Sequence, residues 1–318
     1  MLSSAHSQAC RFVSGYRYPG GWIAEANAGD QSREYCRALE QGEILFFPGV
    51  PFELLEADRE FLISQRQAES RFHKNVSYRP QRDVLRGTSA ESTGDIDRLR
   101  HIMRDYSTHV TAFVRAFLAP YADNLALDFA SFRPQEEEGR DLPLHKRNDL
   151  LHVDSFPTRP THGARILRVF TNINPAQSRV WMTGESFHRM APAHFEQAGL
   201  ERFALSAGSP WRKLGAALRG GIKKLGLPLP QHSAYDRFML RFHDWLKENS
   251  VFQQKASHVR SEFAPGSSWL VFTDGVPHAA LSGRFALEHT YIVPRLALVA
   301  PEVAPISVLE KLCGRKLA

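Results

Sequence analysis

The chain has 318 residues, 43% hydrophobic and 23% charged, which supports a full globular core and excludes a disordered chain. Forty lysines and arginines against 34 acids leave a net charge of +6, which points to an anionic partner: nucleic acid, anionic lipid or a phosphorylated small molecule. No apolar run reaches membrane-spanning length, and the N-terminus lacks the charged-then-apolar pattern of a secretory leader. Cys10, Cys36 and Cys313 have no zinc or redox spacing, so a reducing compartment is expected.

Residues 1–30 read as irregular. A short helix is expected over 31–41, stopped by Gly42, then a strand over 43–47 closed by Pro48-Gly49, then a helix over 52–64. Residues 71–86 carry five basic side chains and one acid. Lys74, Arg79 and Arg82, with Asn75, Ser77 and Tyr78 between them, fit an anion-binding loop or a solvated basic surface. The clearest helix is expected over 93–119, where Ile96, Leu99, Met103, Tyr106, Val110, Phe113 and Phe117 share one face and Pro120 ends the run. A strand over 125–132 and an acidic loop over 134–141 follow.

The stretch 144–181 carries the chemistry. His152 and Asp154 lie two apart on an extended segment, so their side chains point the same way and a metal could bridge them. A His, carboxylate, His set leaves open positions, the arrangement of non-haem Fe(II) oxygenases. The second imidazole is expected from His278, with His258 as the next candidate. His194 and Glu196 form a second His-x-acid match, but in a helical stretch where positions two apart do not face each other. On the strand expected over 164–173, alternation places Ile166, Arg168, Phe170 and Asn172 on one face. A charge on that apolar strand calls for an anionic partner, either a substrate carboxylate or an internal acid.

Residues 208–230 mix Arg212, Lys213, Arg219, Lys223 and Lys224 with Leu, Ala, Ile and glycines, composition that suits an anionic membrane surface or a mobile insertion. Neither basic stretch has the aromatic platforms that a nucleic-acid reader usually adds, so no nucleic-acid partner is expected. A helix over 233–247 places His243 in an exposed or capping position, and strands over 257–263, 267–273 and 285–293 lead into a tail. The expected fold is α+β, mainly β: a double-stranded β-helix (jelly-roll, cupin-like) with flanking helices. It is expected as one domain over 1–318, with a helical or mixed support region at 1–120 and a core at 121–295. A basic insertion at 186–250 interrupts that core, and a tail occupies 296–318.

His152, Asp154, distal His278 and the Gly283-Arg284-Phe285-Ala286-Leu287 strand start resemble the Fe(II)/2-oxoglutarate dioxygenases. More narrowly, LHVDSFPTRPTHGARILRVFTNINP, KNVSYRP and VFTDGVPHAALSGRFALEHTYIVP resemble the Kdo hydroxylases of Gram-negative bacteria. The resemblance implies Fe(II) on His152, Asp154 and His278, with 2-oxoglutarate and dioxygen as cosubstrates. It implies hydroxylation of carbon 3 of a Kdo (3-deoxy-D-manno-oct-2-ulosonic acid) sugar on a lipid A precursor, at the cytoplasmic face of the inner membrane. Much of the superfamily holds the far carboxylate of 2-oxoglutarate with an Arg about ten residues past the distal His. Here that neighbourhood reads Glu288-His289, so Arg168 and Arg284 compete for the role, with Asn172 as a further polar contact. The acceptor's anionic groups are assigned to Lys74, Arg79 and Arg82, and membrane attachment to Lys213, Arg219, Lys223 and Lys224. The rival readings are a dioxygenase acting on another anionic lipid, protein or metabolite, and a non-catalytic glycolipid-binding barrel.

Overall fold

The computed structural model describes residues 10–14, 29–65, 75–88, 92–207, 231–255 and 257–318. Among them, eleven strands form two sheets. The strands are β1 (Cys10–Phe12), β2 (Ile44–Phe47), β3 (Val76–Arg79), β4 (Val84–Arg86), β5 (Ala126–Arg133), β6 (Arg165–Asn172), β7 (Arg179–Thr183), β8 (Val259–Phe263), β9 (Ser268–Phe272), β10 (His278–Ser282) and β11 (Ala286–Val293). The larger sheet has the order β1-β2-β9-β6-β11-β5-β3-β4 and the smaller β10-β7-β8. All pairings are antiparallel except β1 with β2.

Alternation along the central strands sorts side chains between two environments. Leu167 and Val169 of β6, Leu270 and Phe272 of β9, and Leu287 and Tyr291 of β11 join one large core with the helices. The opposite face sends Phe170, Trp269 and Val271 into a second cluster with Trp181 and Phe263 of the small sheet and Ala280. Large aromatics fill that layer: Phe263 stacks on Trp269 at 3.9 Å between centroids, and Trp181 meets Trp269 edge-on at 5.5 Å.

Helix α1 (Gly29–Gln41) ends at Gly42, whose φ of 100° suits the stop expected there. After α2 (Glu56–Ser64), the long α3 (Thr93–Phe117) starts at Ser92, whose Oγ accepts from the Asp95 amide at 3.3 Å. Its buried stripe packs on the helical side of the large sheet and ties to it by polar contacts. Ser107 Oγ lies 2.8 Å from His289 Nε2, and Thr111 Oγ1 lies 3.0 Å from Tyr291 Oη. The next helices are α4 (Phe187–His194), α5 (Leu200–Ala207), α6 (Ala234–Glu248) and α7 (Ser250–Lys255). A capping box between Ser233 and Asp236 starts α6.

Two features add to the sequence expectation. The support region supplies four strands of the large sheet, so the sheet does not begin at 121. Of these, β2 was expected, and β1, β3 and β4, at three or four residues each, are too short for alternation to be read. The tail contains α8 (Pro305–Cys313), which buries Ile306 and Leu309 and ends at Gly314 with φ 64°. The basic stretch 208–230 and Lys74 lie outside the described residues.

His289 gives a pH prediction. It is fully buried, its Nδ1 donates to the Thr290 carbonyl at 3.1 Å, and its Nε2 therefore accepts from Ser107. Burial pushes its pKa down from 6.5 to about 4. As pH falls through 6.5 the unfolded chain takes a proton that the folded chain refuses, so stability drops until about pH 4. This group accounts for about 2–4 kcal/mol of that loss. Urea midpoints should fall between pH 7 and 5, and by less in His289→Gln. An equal fall in both proteins would contradict this assignment.

Candidate metal centre and its cavity

The segment before β6 is pinned to the strands beside it. The His152 amide donates to the His278 carbonyl at 3.1 Å and the His278 amide to the His152 carbonyl at 2.9 Å, an isolated antiparallel bridge that sets the two imidazoles side by side. Their ring centroids lie 4.7 Å apart. Two residues on, the Asp154 amide donates to the Thr273 carbonyl at 2.9 Å, at the end of β9. One ligand atom from each of His152, Asp154 and His278 then lies within 4.8 Å of the others. No other such group of three occurs among the described residues.

The donor atoms suit a cation. Each imidazole gives its Nδ1 proton to a backbone carbonyl, His152 to Leu150 at 2.8 Å and His278 to Val276 at 2.9 Å, leaving the Nε2 lone pairs for a metal. Asp154 Oδ2 is buried with no hydrogen bond, although Arg168 Nε lies 3.2 Å away. The distance makes the two an ion pair, but the angle does not align the donor. A buried carboxylate oxygen without a hydrogen bond is costly, and a divalent ion would offset that cost. Burial, then the His278 and Lys247 charges, hold the His152 pKa well below 6.5, and burial lowers His278 as well. Burial alone would raise the Asp154 carboxyl, but Arg168 and then His278 outweigh it and hold it well below the ordinary range. All three groups are thus in their metal-binding protonation states at neutral pH.

A chain of buried charge runs from this centre across three strands. Arg168 faces Thr290 in the β6–β11 register, and Arg133 faces Ala286 in the β5–β11 register. Glu288 is diagonal to both on the same face. It takes Arg168 at 3.1 Å and Arg133 at 2.6 Å, and Glu137 continues the chain to Arg179 at 3.1 Å. Burial would raise the Glu288 carboxyl, yet Arg133 and then Arg168 hold it below its ordinary value.

A cavity of about 290 Å³ opens on the three ligands. The large sheet lines it with Arg133, Arg168 and Phe170, and the small sheet with Trp181. Helix α6 adds His243 and Lys247.

The other expected site residues lie elsewhere. Arg284 is exposed and sits over the Phe285 ring at 3.9 Å, outside the cavity. Gly283 has φ 113° and Phe285 φ 59°, so the chain turns a corner at Arg284 just before β11 begins. Asn172 is fully buried at the end of β6, where its Nδ2 donates to the Gln177 and Phe263 carbonyls, both at 2.9 Å, and its Oδ1 accepts from the Asn174 amide. It clamps a turn and does not line the cavity. Nor do Asn75, Ser77, Tyr78, Arg79 or Arg82. Tyr78 Oη donates to Asp83, and the Arg79 guanidinium lies over the Phe129 ring. His194 packs against Trp245 and Phe252.

Sequence reasoning missed Arg133, Glu288, His243 and Lys247. His243 was expected to be exposed or capping. Its Nδ1 instead donates to the Val153 carbonyl at 2.7 Å, and its ring meets His152 edge-on at 4.9 Å. It thereby braces the residue between two metal-ligand candidates. The readable signal was the i, i+4 spacing of His243 and Lys247 beside the apolar stripe of α6.

Two imidazoles and one carboxylate on two segments joined by backbone hydrogen bonds, beside an open cavity, are the donor set of a mononuclear non-haem iron enzyme. The family model described as 3-deoxy-D-manno-oct-2-ulosonic acid (Kdo) hydroxylase matches residues 23–316, and the chain belongs to that family. Two similar solved structures are of the Kdo hydroxylase KdoO, a non-haem Fe(II) alpha-ketoglutarate-dependent dioxygenase. One, with alpha-ketoglutarate and Fe(III), is 34% identical, covers 93% of this chain and 94% of that chain, and has a TM-score of 0.78. The other, with cobalt(II), is 33% identical over 97% of each chain with a TM-score of 0.81. No curated protein sequence matches.

Proposed function

We propose that the chain hydroxylates carbon 3 of a Kdo sugar borne on a lipid A precursor, using Fe(II), 2-oxoglutarate and dioxygen. The observation that carries this reading is the convergence of His152, Asp154 and His278, with an unbonded carboxylate oxygen, in a chain matched almost end to end by the family. When bound, Fe(II) supplies the oxidative chemistry that couples decarboxylation of 2-oxoglutarate to insertion of oxygen into a C–H bond. The protein holds, orients and shields. His152, Asp154 and His278 hold the metal, and the carbonyls of Leu150 and Val276 fix the imidazole tautomers. Arg168 takes the far carboxylate of 2-oxoglutarate, with Arg133 beside it, because both line the cavity and Glu288 holds both guanidiniums. Trp181 stacks on His278 at 5.1 Å and closes one wall against water.

The two facing sheets support a jelly-roll reading of the core, in a single domain over 1–318. No helix among the described residues is long and apolar enough to cross a membrane. A glycolipid acceptor would be met at the cytoplasmic face of the inner membrane, with the basic stretch 212–224 as the peripheral contact to anionic lipid. The test is purified protein with Fe(II), 2-oxoglutarate and Kdo-lipid A, followed by NMR of the released sugar. Loss of the carbon-3 methylene signals is expected. A hydroxylated sugar that keeps them would overturn the carbon assignment, and an unmodified sugar would overturn the Kdo reading.

A further inference from the structure

The cavity has cationic side chains on two different walls. On the sheet wall, Arg168 and Arg133 are already engaged by Asp154, Glu288 and Glu137. On the helical wall stands Lys247, one turn beyond His243 on α6. Only 4% of Lys247 is exposed, so this ammonium is buried at the cavity edge, not held in bulk water. Its Nζ donates to the His145 carbonyl at 3.0 Å, which ties the helix to a loop that lines the cavity with His145, Lys146 and Asn148. Its charge acts on His152 and His243, and on the carboxylate of Asp149 in the same loop. Neither the metal nor the cosubstrate, as placed above, uses it.

The reaction brings two acids into one cavity, the cosubstrate and the sugar. In a 3-deoxy-2-ulosonic acid the carboxylate carbon is joined to carbon 2, the immediate neighbour of carbon 3. Whatever grips that carboxylate therefore sets where carbon 3 sits relative to the metal ligands. Guanidinium forks suit a fixed bidentate carboxylate, whereas an ammonium is a point charge with three donors that tolerates a range of approach angles.

We infer that Lys247 anchors the carboxylate of the acceptor sugar on the helical wall, leaving the guanidiniums of the sheet wall to the cosubstrate. This rests on the Kdo reading. It moves acceptor recognition from the 75–82 segment, which does not line the cavity, to α6 and the loop before His152.

The experiment pairs a change in the protein with a change in the ligand. The iron-loaded enzyme is assayed on detergent-dispersed Kdo-lipid A and on the same glycolipid with the Kdo carboxyl converted to a carboxamide. Wild type should prefer the carboxylate by about a hundredfold in kcat/KM, the scale of a desolvated charge pair. Lys247→Met should bring that ratio close to one by raising KM for the acid, and Lys247→Arg should restore part of it. Iron retention and the 2-oxoglutarate KM report folding and should stay within about threefold of wild type. A Lys247→Met enzyme that keeps the wild-type ratio would overturn the inference, as would one that loses iron or cosubstrate binding in proportion to acceptor activity. If wild type itself hydroxylates neither glycolipid, the Kdo reading fails and the anchor with it. That failure appears in the wild-type arm alone, so the two are told apart.

Discussion

Asp154→Ala is expected to lose Fe(II) binding and, with it, all measurable hydroxylation. The three candidate ligands come from two segments held by backbone hydrogen bonds, so removing one side chain leaves the other two in place. Two neutral imidazoles without the carboxylate lose the negative charge that offsets a divalent ion. The expected loss is about 4 kcal/mol or more in metal affinity, at least a thousandfold. The fold should survive, because Asp154 anchors its neighbours by its amide, and Arg168 keeps Glu288 at 3.1 Å when the Asp154 carboxylate is removed. Titration with cobalt(II), followed by its visible absorption, reads the affinity directly. Changes at His194 or Glu196 should leave it unaltered, since His194 packs against Trp245 and Phe252 outside the cavity. A tight cobalt complex in Asp154→Ala would remove Asp154 from the ligand set.

Arg168→Ala is expected to raise the 2-oxoglutarate requirement by a hundredfold or more. Truncating one partner of a buried charge pair costs about 2–5 kcal/mol. The protein should also be less stable, because Glu288 and Asp154 both lose a guanidinium neighbour in a buried site. Arg168→Lys should rescue poorly, since a point charge cannot reproduce a planar fork held between two carboxylates. Two control substitutions separate this role from general damage. Arg284→Ala should leave the requirement unchanged because the side chain is exposed. Asn172→Ala should lower stability by about 1–3 kcal/mol through its lost turn bonds, again without moving the requirement. An unchanged requirement in Arg168→Ala would pass the cosubstrate's carboxylate to Arg133.

Much of the centre was legible because its signals are local. His152 and Asp154 stand two apart ahead of a strand, and alternation along β6 puts Arg168 on the cavity face. Where a residue's role depends on strand order, the sequence was silent. Glu288 is visible only as an acid where many relatives carry a base. That it bridges Arg168 and Arg133 follows from β11 lying between β6 and β5. Asn172 shows the limit of alternation: it gives a face but not a depth, and the last residue of a strand belongs to the turn. Arg284 lies exposed, away from the cavity, for a related reason. A Cβ on Gly283 would approach Arg179 Cα to 2.9 Å, so the backbone corner there is built on glycine, and pattern rules for extended chain do not pass through it. His243 and Lys247 come from a helix far along the chain, and only tertiary packing carries them to the metal-ligand segment.

The measurement that tests the central claim most directly is turnover under ¹⁸O₂ with Fe(II), 2-oxoglutarate and Kdo-lipid A, read by mass spectrometry of both products. One labelled oxygen in succinate and one in the Kdo sugar, formed in equal amounts, are predicted. Succinate formed while the Kdo sugar stays unlabelled and unmodified would contradict the assignment of this chain as a Kdo hydroxylase.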